Sequence, residues 1–79
     1  MVDAQKLVLR GEYITLDALL KATGLAESGG RAKQIIAAGQ VRVDGQVELR
    51  RGAKLRAGQE VEAAGQRVQV VATASDQSA

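Results

Sequence analysis

The chain has 79 residues, enough for one domain with one modest core, since a chain this short buries only about 60% of the surface its unfolded form exposes. Hydrophobic residues make up 46% and aromatics 1%, so Leu, Val, Ile and Ala must build the core, and base stacking on aromatic platforms is excluded as a main binding mode, Tyr13 being the sole ring. Cysteine and histidine are both absent, which removes disulfides, thiolate metal sites and the usual zinc ligands and fits a reducing, cytoplasmic setting with no cofactor.

No run of eighteen apolar residues and no basic-then-apolar leader occurs, so neither a membrane span nor a signal peptide is expected. Net charge is +2, yet Arg31 to Arg56 holds seven basic residues against two acidic ones, Asp44 and Glu48. Such a basic middle in an otherwise balanced chain suggests a polyanionic partner. A solvated surface explains the charges as well, and charge alone slightly favours it.

In chain order, Met1 to Gln5 shows no period and is expected to fray. Lys6 to Leu9 reads as a short strand that pairs with a later one, and Gly11 breaks it. Thr15 then caps a helix whose Leu16, Leu19, Leu20 and Thr23 share a face, with Asp17 in the first turn and Lys21 in the last, as the helix dipole prefers. Gly24 stops that helix, and Leu25 tucks back toward the core.

Ser28 to Gly45, SGGRAKQIIAAGQVRVDG, is the densest stretch of signals. Ser28 is a good N-cap, because its hydroxyl can accept from the first free amides of a helix. Ala32, Ile35, Ile36 and Gly39 follow at i, i+3, i+4 and i+7, one buried stripe, and Gly39 also stands where a left-handed C-terminal cap is wanted. The period then changes to two: Val41 and Val43 point one way and Arg42 the other, until Asp44-Gly45 turns the chain. Gly29 and Gly30 need a reason, because glycine inside a helix costs roughly 1 kcal/mol against alanine. They leave the first amides of the helix uncovered, an anion site flanked by Lys33 one turn on. A merely glycine-tolerant helix start accounts for them equally. Lys33 and Arg31 straddle the buried stripe, and Lys33 lies on the flank of Gly29.

A two-residue loop at Asp44-Gly45 pairs Val43 with Gln46 and leaves Val47 and Leu49 on the face of Arg42, whereas a three-residue loop pairs Val43 with Val47. The residues fit either. Arg50-Arg51-Gly52 leads to Lys54-Leu55-Arg56, where leucine turns inward and both cations outward. Ala57-Gly58 and Ala64-Gly65 are turns bracketing Glu60 to Ala63, and Val68, Val70 and Ala72 make a last alternating strand. Residues 1–72 thus form one domain, and Thr73 to Ala79, small and polar, reads as a disordered tail.

The order and spacing of these motifs resemble the small RNA-binding domain named after ribosomal small-subunit protein S-four, also called the alpha-L domain. The resemblance runs over roughly Ile14 to Val71 and rests on ITLDALLKATG, on Ser28 with Ala32-Lys33, on Ile36 with Gly39, and on VRVDG. The stretch ELRRGAKLRAGQEV, Glu48 to Val61, looks like the stand-alone bacterial members of the YaaA and YbcJ type. The resemblance implies an α+β fold, two short packed helices against a small, bent, mainly antiparallel sheet. It also implies RNA contacts at Ser28, Lys33, Arg42, Arg50, Arg51 and Lys54. Gly29, Gly30, Arg31 and Arg56 join them on the charge and helix-end arguments above. Three positions depart from the pattern: Gly29 stands where many members carry a basic residue, Asp44 replaces the common turn asparagine, and Glu48 replaces an apolar residue.

The function these readings favour is a non-catalytic, monomeric module that binds structured RNA, ribosomal or tRNA-like, by phosphate contacts and shape. Two helices joined by a short link also match the outline of a helix-turn-helix DNA reader, although Gly29, Gly30 and two alanines stand where a base-reading helix needs long polar side chains. A module docking on acidic or ribosomal protein is the third reading. An enzyme is not expected, nor a small-molecule substrate, since no histidine, cysteine or close carboxylate pair is available for acid-base or nucleophilic work.

Overall fold

The computed structural model describes residues 4–72, so the expected tail lies outside the described residues. A first strand, β1 (Ala4–Val8), is followed by the short β2 (Ile14–Thr15), the helices α1 (Leu16–Ala22) and α2 (Gly29–Ala37), and the strands β3 (Val41–Val43), β4 (Gln46–Val47), β5 (Lys54–Leu55), β6 (Glu60–Ala63) and β7 (Gln66–Val71). Five strands order as β1-β7-β6-β3-β4, antiparallel except for the β1–β7 pair, and β2 with β5 makes a separate two-stranded antiparallel ladder. This is the α+β fold expected from the sequence.

The first strand starts earlier than its apolar residues suggest. Ala4 and Gln5, expected to fray, lie in β1 because parallel pairing with β7 runs from Ala4–Arg67 to Val8–Val71. Gln5 Nε2 also donates to Gln66 Oε1 at 3.2 Å. Leu9 falls just beyond the strand yet is buried, and its N–H donates to the Val71 carbonyl at 2.9 Å.

The core is the aliphatic one that the composition requires. Leu16, Leu19 and Leu20 of α1 and Ala32, Ile35 and Ile36 of α2 meet Val41, Val61, Val68 and Val70 of the sheet, and no polar or charged residue is buried among the described residues. Leu25 packs against this core as expected, but the next residue, Ala26, is the more buried.

Both helix ends of α2 follow local chemistry. Ser28 Oγ accepts from Arg31 N at 3.2 Å, and Gly39, at φ +76°, closes the other end: its N–H donates to the Ile36 carbonyl and that of Gln40 to the Ile35 carbonyl, the paired bonds of a Schellman cap. At α1 the expected side-chain cap is missing. Thr15 is the N-cap residue, but its side chain makes no capping hydrogen bond. A distant segment satisfies the amides instead, Ala53 O accepting from Leu16 N at 2.9 Å and Arg51 O from Asp17 N at 3.0 Å. The β2–β5 ladder brings that segment there, pairing Ile14 with Leu55 and Thr15 with Lys54.

The β3–β4 turn has two residues. Val43 pairs with Gln46 and Arg42 with Val47, and both Asp44 (φ 51°) and Gly45 (φ 84°) take the left-handed conformations of a type I′ turn. The consequence is the exposure of Val47 and Leu49. The β6–β7 hairpin repeats the device with Ala64 and Gly65 at positive φ. Val68 and Val70 are buried on β7 as expected, whereas Ala72 lies one residue past its end.

Candidate nucleic-acid interface

All ten residues named from the sequence, Ser28, Gly29, Gly30, Arg31, Lys33, Arg42, Arg50, Arg51, Lys54 and Arg56, are exposed, and they stand on three parts of the molecule.

The first part is the segment from Glu48 to Arg56. Its backbone is fixed at the start of α1 by the Arg51 and Ala53 carbonyls, and buried Leu55 turns its flanking residues Lys54 and Arg56 outward on one side. Both reach the ring of Tyr13: Lys54 Nζ lies 5.0 Å and the Arg56 guanidinium carbon 5.9 Å from its centroid. Arg50 is held differently. Its Nε lies 3.0 Å from Glu48 Oε2, its terminal nitrogen donates to Oε1, and its backbone N–H donates to the same carboxylate. Hydrogen bonding to Arg50 holds the Glu48 carboxyl below the ordinary carboxylate range, and Glu48 in turn raises the Arg50 guanidinium. Glu48, one of the three departures noted in the sequence, thus serves as the partner of Arg50.

The second part is the start of α2. Gly29 and Gly30 are the first two helical residues, both at ordinary helical φ, and their N–H groups find no acceptor among the described residues. A Cβ at Gly29 would meet nothing within 4 Å, and one at Gly30 only Ser28 Oγ at 3.9 Å. Lys33 lies one turn on, and long helical side chains lean toward the N-terminus, hence toward these amides. Arg31 leans on Gln34, its guanidinium donating to Oε1 at 3.3 Å. The six residues from Thr23 to Ser28 link this helix start to the C-terminal end of α1, whereas the Arg51 and Ala53 carbonyls sit on its first turn. No hydrogen bond or ion pair among the described residues ties the two parts together.

Arg42 belongs to neither. It alternates with core-facing Val41 and Val43, so it stands on the outer sheet face in a row with Val47, Glu62 and Arg67 across four strands. A hollow of about 600 Å³ there is lined by Arg42 and Arg67 but also by Glu60 and Glu62, and Glu62 holds Arg67 at 3.3 Å. Its mixed charge suits a polyanion less well than the Arg50–Arg56 segment does.

Both carboxylates of the basic middle are thus engaged, Glu48 by Arg50 and Asp44 by the chain beyond it. Asp44 Oδ1 accepts from Glu60 N at 3.0 Å and Oδ2 from Gln59 Nε2 at 3.4 Å, pinning the turn to β6. Arg50–Glu48 and Arg67–Glu62 are the ion pairs among the described residues, so Arg51, Lys54 and Arg56 carry no carboxylate partner. The sequence offered no signal for the meeting of Tyr13 with Lys54 and Arg56, which depends on the pairing of β2 with β5. Among the described residues no group of three or more acidic, histidine or cysteine side chains could hold a metal, and no helix is long and apolar enough to cross a membrane.

A pair of short helices on a small mixed sheet, with its cations exposed on turns and helix ends, defines a class of small α+β domains. The model of the S4 domain matches residues 7–71, and the chain belongs to that family. The solution structure of YbcJ from E. coli, which reveals an alpha-L motif involved in RNA binding, is similar to this chain at 48% identity and a TM-score of 0.63, over 86% of this chain and 85% of that one. No curated protein matches the chain.

Proposed function

We propose that this chain is a non-catalytic RNA-binding module that fits structured RNA, ribosomal or tRNA-like in shape, onto the cations of the Arg50–Arg56 segment and the glycine-opened start of α2. The observation that carries the reading is the placement of Arg51, Lys54 and Arg56: exposed, without a carboxylate partner among the described residues, and built on backbone that two hydrogen bonds and a strand ladder hold against α1. Fixed cations on rigid backbone are suited to reading the shape of a folded phosphate chain. The kinship with an RNA-binding alpha-L protein supports the choice of RNA. Arg42, on the outer face of the five-stranded sheet, is a peripheral contact in this scheme.

The test is the double substitution Arg50→Ala with Arg51→Ala. It removes two charges but leaves the Arg51 carbonyl on Asp17, so stability should change by no more than about 0.5 kcal/mol. RNA binding should weaken, and the plot of log affinity against log salt should flatten by roughly 0.7 to 0.9 for the contact of Arg51, and by about twice that where Arg50 also meets a phosphate. Equal affinities of variant and parent for folded ribosomal or transfer RNA at matched salt would remove the segment from the interface.

A further inference from the structure

Tyr13 is the one ring in the chain, and it is kept out of the core. It is 43% exposed and no part of the buried cluster, although burying it would have supplied a large apolar surface to a small protein short of it. Instead it stands beside β2, under Lys54 and Arg56, whose charges lie 5.0 and 5.9 Å from its centroid. Exposed cation–π contacts add little to stability, so folding does not account for the placement.

The same ring lines a hollow of about 410 Å³, whose walls include Leu7, Val8, Leu9, Arg10 and Ile14. The hollow is mainly apolar, and Val8 on its wall is 54% exposed. Tyr13 joins the two features: its ring lines the apolar recess together with Arg10, and it carries Lys54 and Arg56 over its face. Glu12, exposed, is the single carboxylate between Arg10 and Thr15. Apolar and aromatic surface suits the flat face of a nucleobase, and cations at its edge suit the phosphates on either side of that base. A single ring cannot serve as a stacking platform for a run of bases, but one base needs only one ring.

We propose that Tyr13 and the hollow beside it form a subsite for one unpaired nucleobase of a bound RNA, whose flanking phosphates are held by Lys54 and Arg56. The proposal rests on the RNA-binding reading and adds to it a preference that phosphate contacts alone do not give, for folded RNA with a base turned out of its helix over the same RNA fully paired.

Because the chain has no tryptophan and no second tyrosine, its intrinsic emission reports on Tyr13 alone. The probes are an RNA hairpin with one bulged adenosine, the same hairpin without the bulge, and inorganic polyphosphate, each titrated at fixed salt with emission corrected for RNA absorbance. Labelled-RNA anisotropy gives the affinities. The bulged hairpin should quench Tyr13 and bind about 5- to 10-fold more tightly than the paired one, the low end of what a stacked base contributes. Tyr13→Leu should erase that preference while leaving the affinity for the paired hairpin unchanged, and Tyr13→Phe should keep it. If both hairpins bind equally, or polyphosphate quenches as strongly as the bulged RNA, the base subsite is overturned and the RNA-binding reading stands. If neither hairpin nor other folded RNA binds, both fall together.

Discussion

Replacing Gly29 and Gly30 with alanine separates a helix start that receives an anion from one that only tolerates glycine. The structure fixes the stability half of the outcome. Both residues sit at ordinary helical φ, and neither added methyl would approach any atom closer than the 3.9 Å to Ser28 Oγ. With no strain to offset it, the gain comes from the restricted unfolded chain, about 0.4 to 1 kcal/mol per position and so roughly 1 to 2 kcal/mol for both. In a domain of this size 1 kcal/mol moves the melting temperature by about 4 to 8 °C, so the double variant should melt several degrees above the parent. The binding half follows from the two amides that lack an acceptor: methyl groups over them shield the approach of a phosphate, and RNA affinity should fall although the fold is firmer. A circular dichroism melt and an RNA titration at fixed salt measure both. A higher melting temperature with unchanged affinity would refute the anion site and leave binding to the arginine segment. A lower melting temperature would refute the helical geometry itself.

Three other substitutions probe separate parts of the argument. Ile36→Ala, at a site 1% exposed in the centre of the core, should cost about 2 to 5 kcal/mol and unfold much of the population at moderate temperature; a melt within a degree of the parent would contradict the assigned helix face. Asp44→Ala puts alanine at φ 51° and strips the Glu60 amide of its acceptor, for a loss of about 1 to 3 kcal/mol in chemical denaturation, whereas Asp44→Asn, which tolerates that backbone and still offers an oxygen, should recover most of it. Glu48→Gln should release Arg50 and tighten RNA binding by about two- to fivefold, the scale of an exposed ion pair; unchanged affinity would place Arg50 outside the interface. The folded Glu48 carboxyl lies below its ordinary value, so its small contribution to stability is complete above the ordinary carboxylate range and is lost as pH falls through the folded value. The stability difference between parent and Glu48→Gln should accordingly vanish in acid.

What the sequence disclosed was whatever depends on neighbours in the chain. Ser28 capping α2, Gly39 ending it in a left-handed conformation, and the leucine stripe of α1 are all decided within a few residues, and all stand in the structure. What it left open depends on partners far away. Thr15 has the chemistry of a cap, but the carbonyls of Arg51 and Ala53 satisfy the first amides of α1, a solution invisible until β2 pairs with β5. Ala4 and Gln5 look too polar and small for a strand and are held in one by β7. The choice of loop at Asp44-Gly45 turned on the same kind of contact. Exposing Val47 and Leu49 argues against the two-residue turn, but the bond from Glu60 N to Asp44 Oδ1 and the β3–β6 ladder lock it in place.

The site divides along the same line. Its candidate members can be named one by one, since an exposed cation on a turn or helix end is legible from pattern, but their grouping cannot. The sequence offers Arg42 and Arg51 as equals, whereas alternation with Val41 and Val43 carries Arg42 to the outer sheet face beside Glu62. Glu48, which looked like a flaw in the pattern, fixes the orientation of Arg50 and lowers its effective charge, so the free cations of the segment are Arg51, Lys54 and Arg56. The hydrogen bonds that hold the backbone here, to Leu16 N, to Asp17 N and from Arg56 N to Gln59 Oε1, use none of these three cationic side chains. Every cation proposed to touch RNA can therefore be removed without opening the core of a chain with little stability to spare.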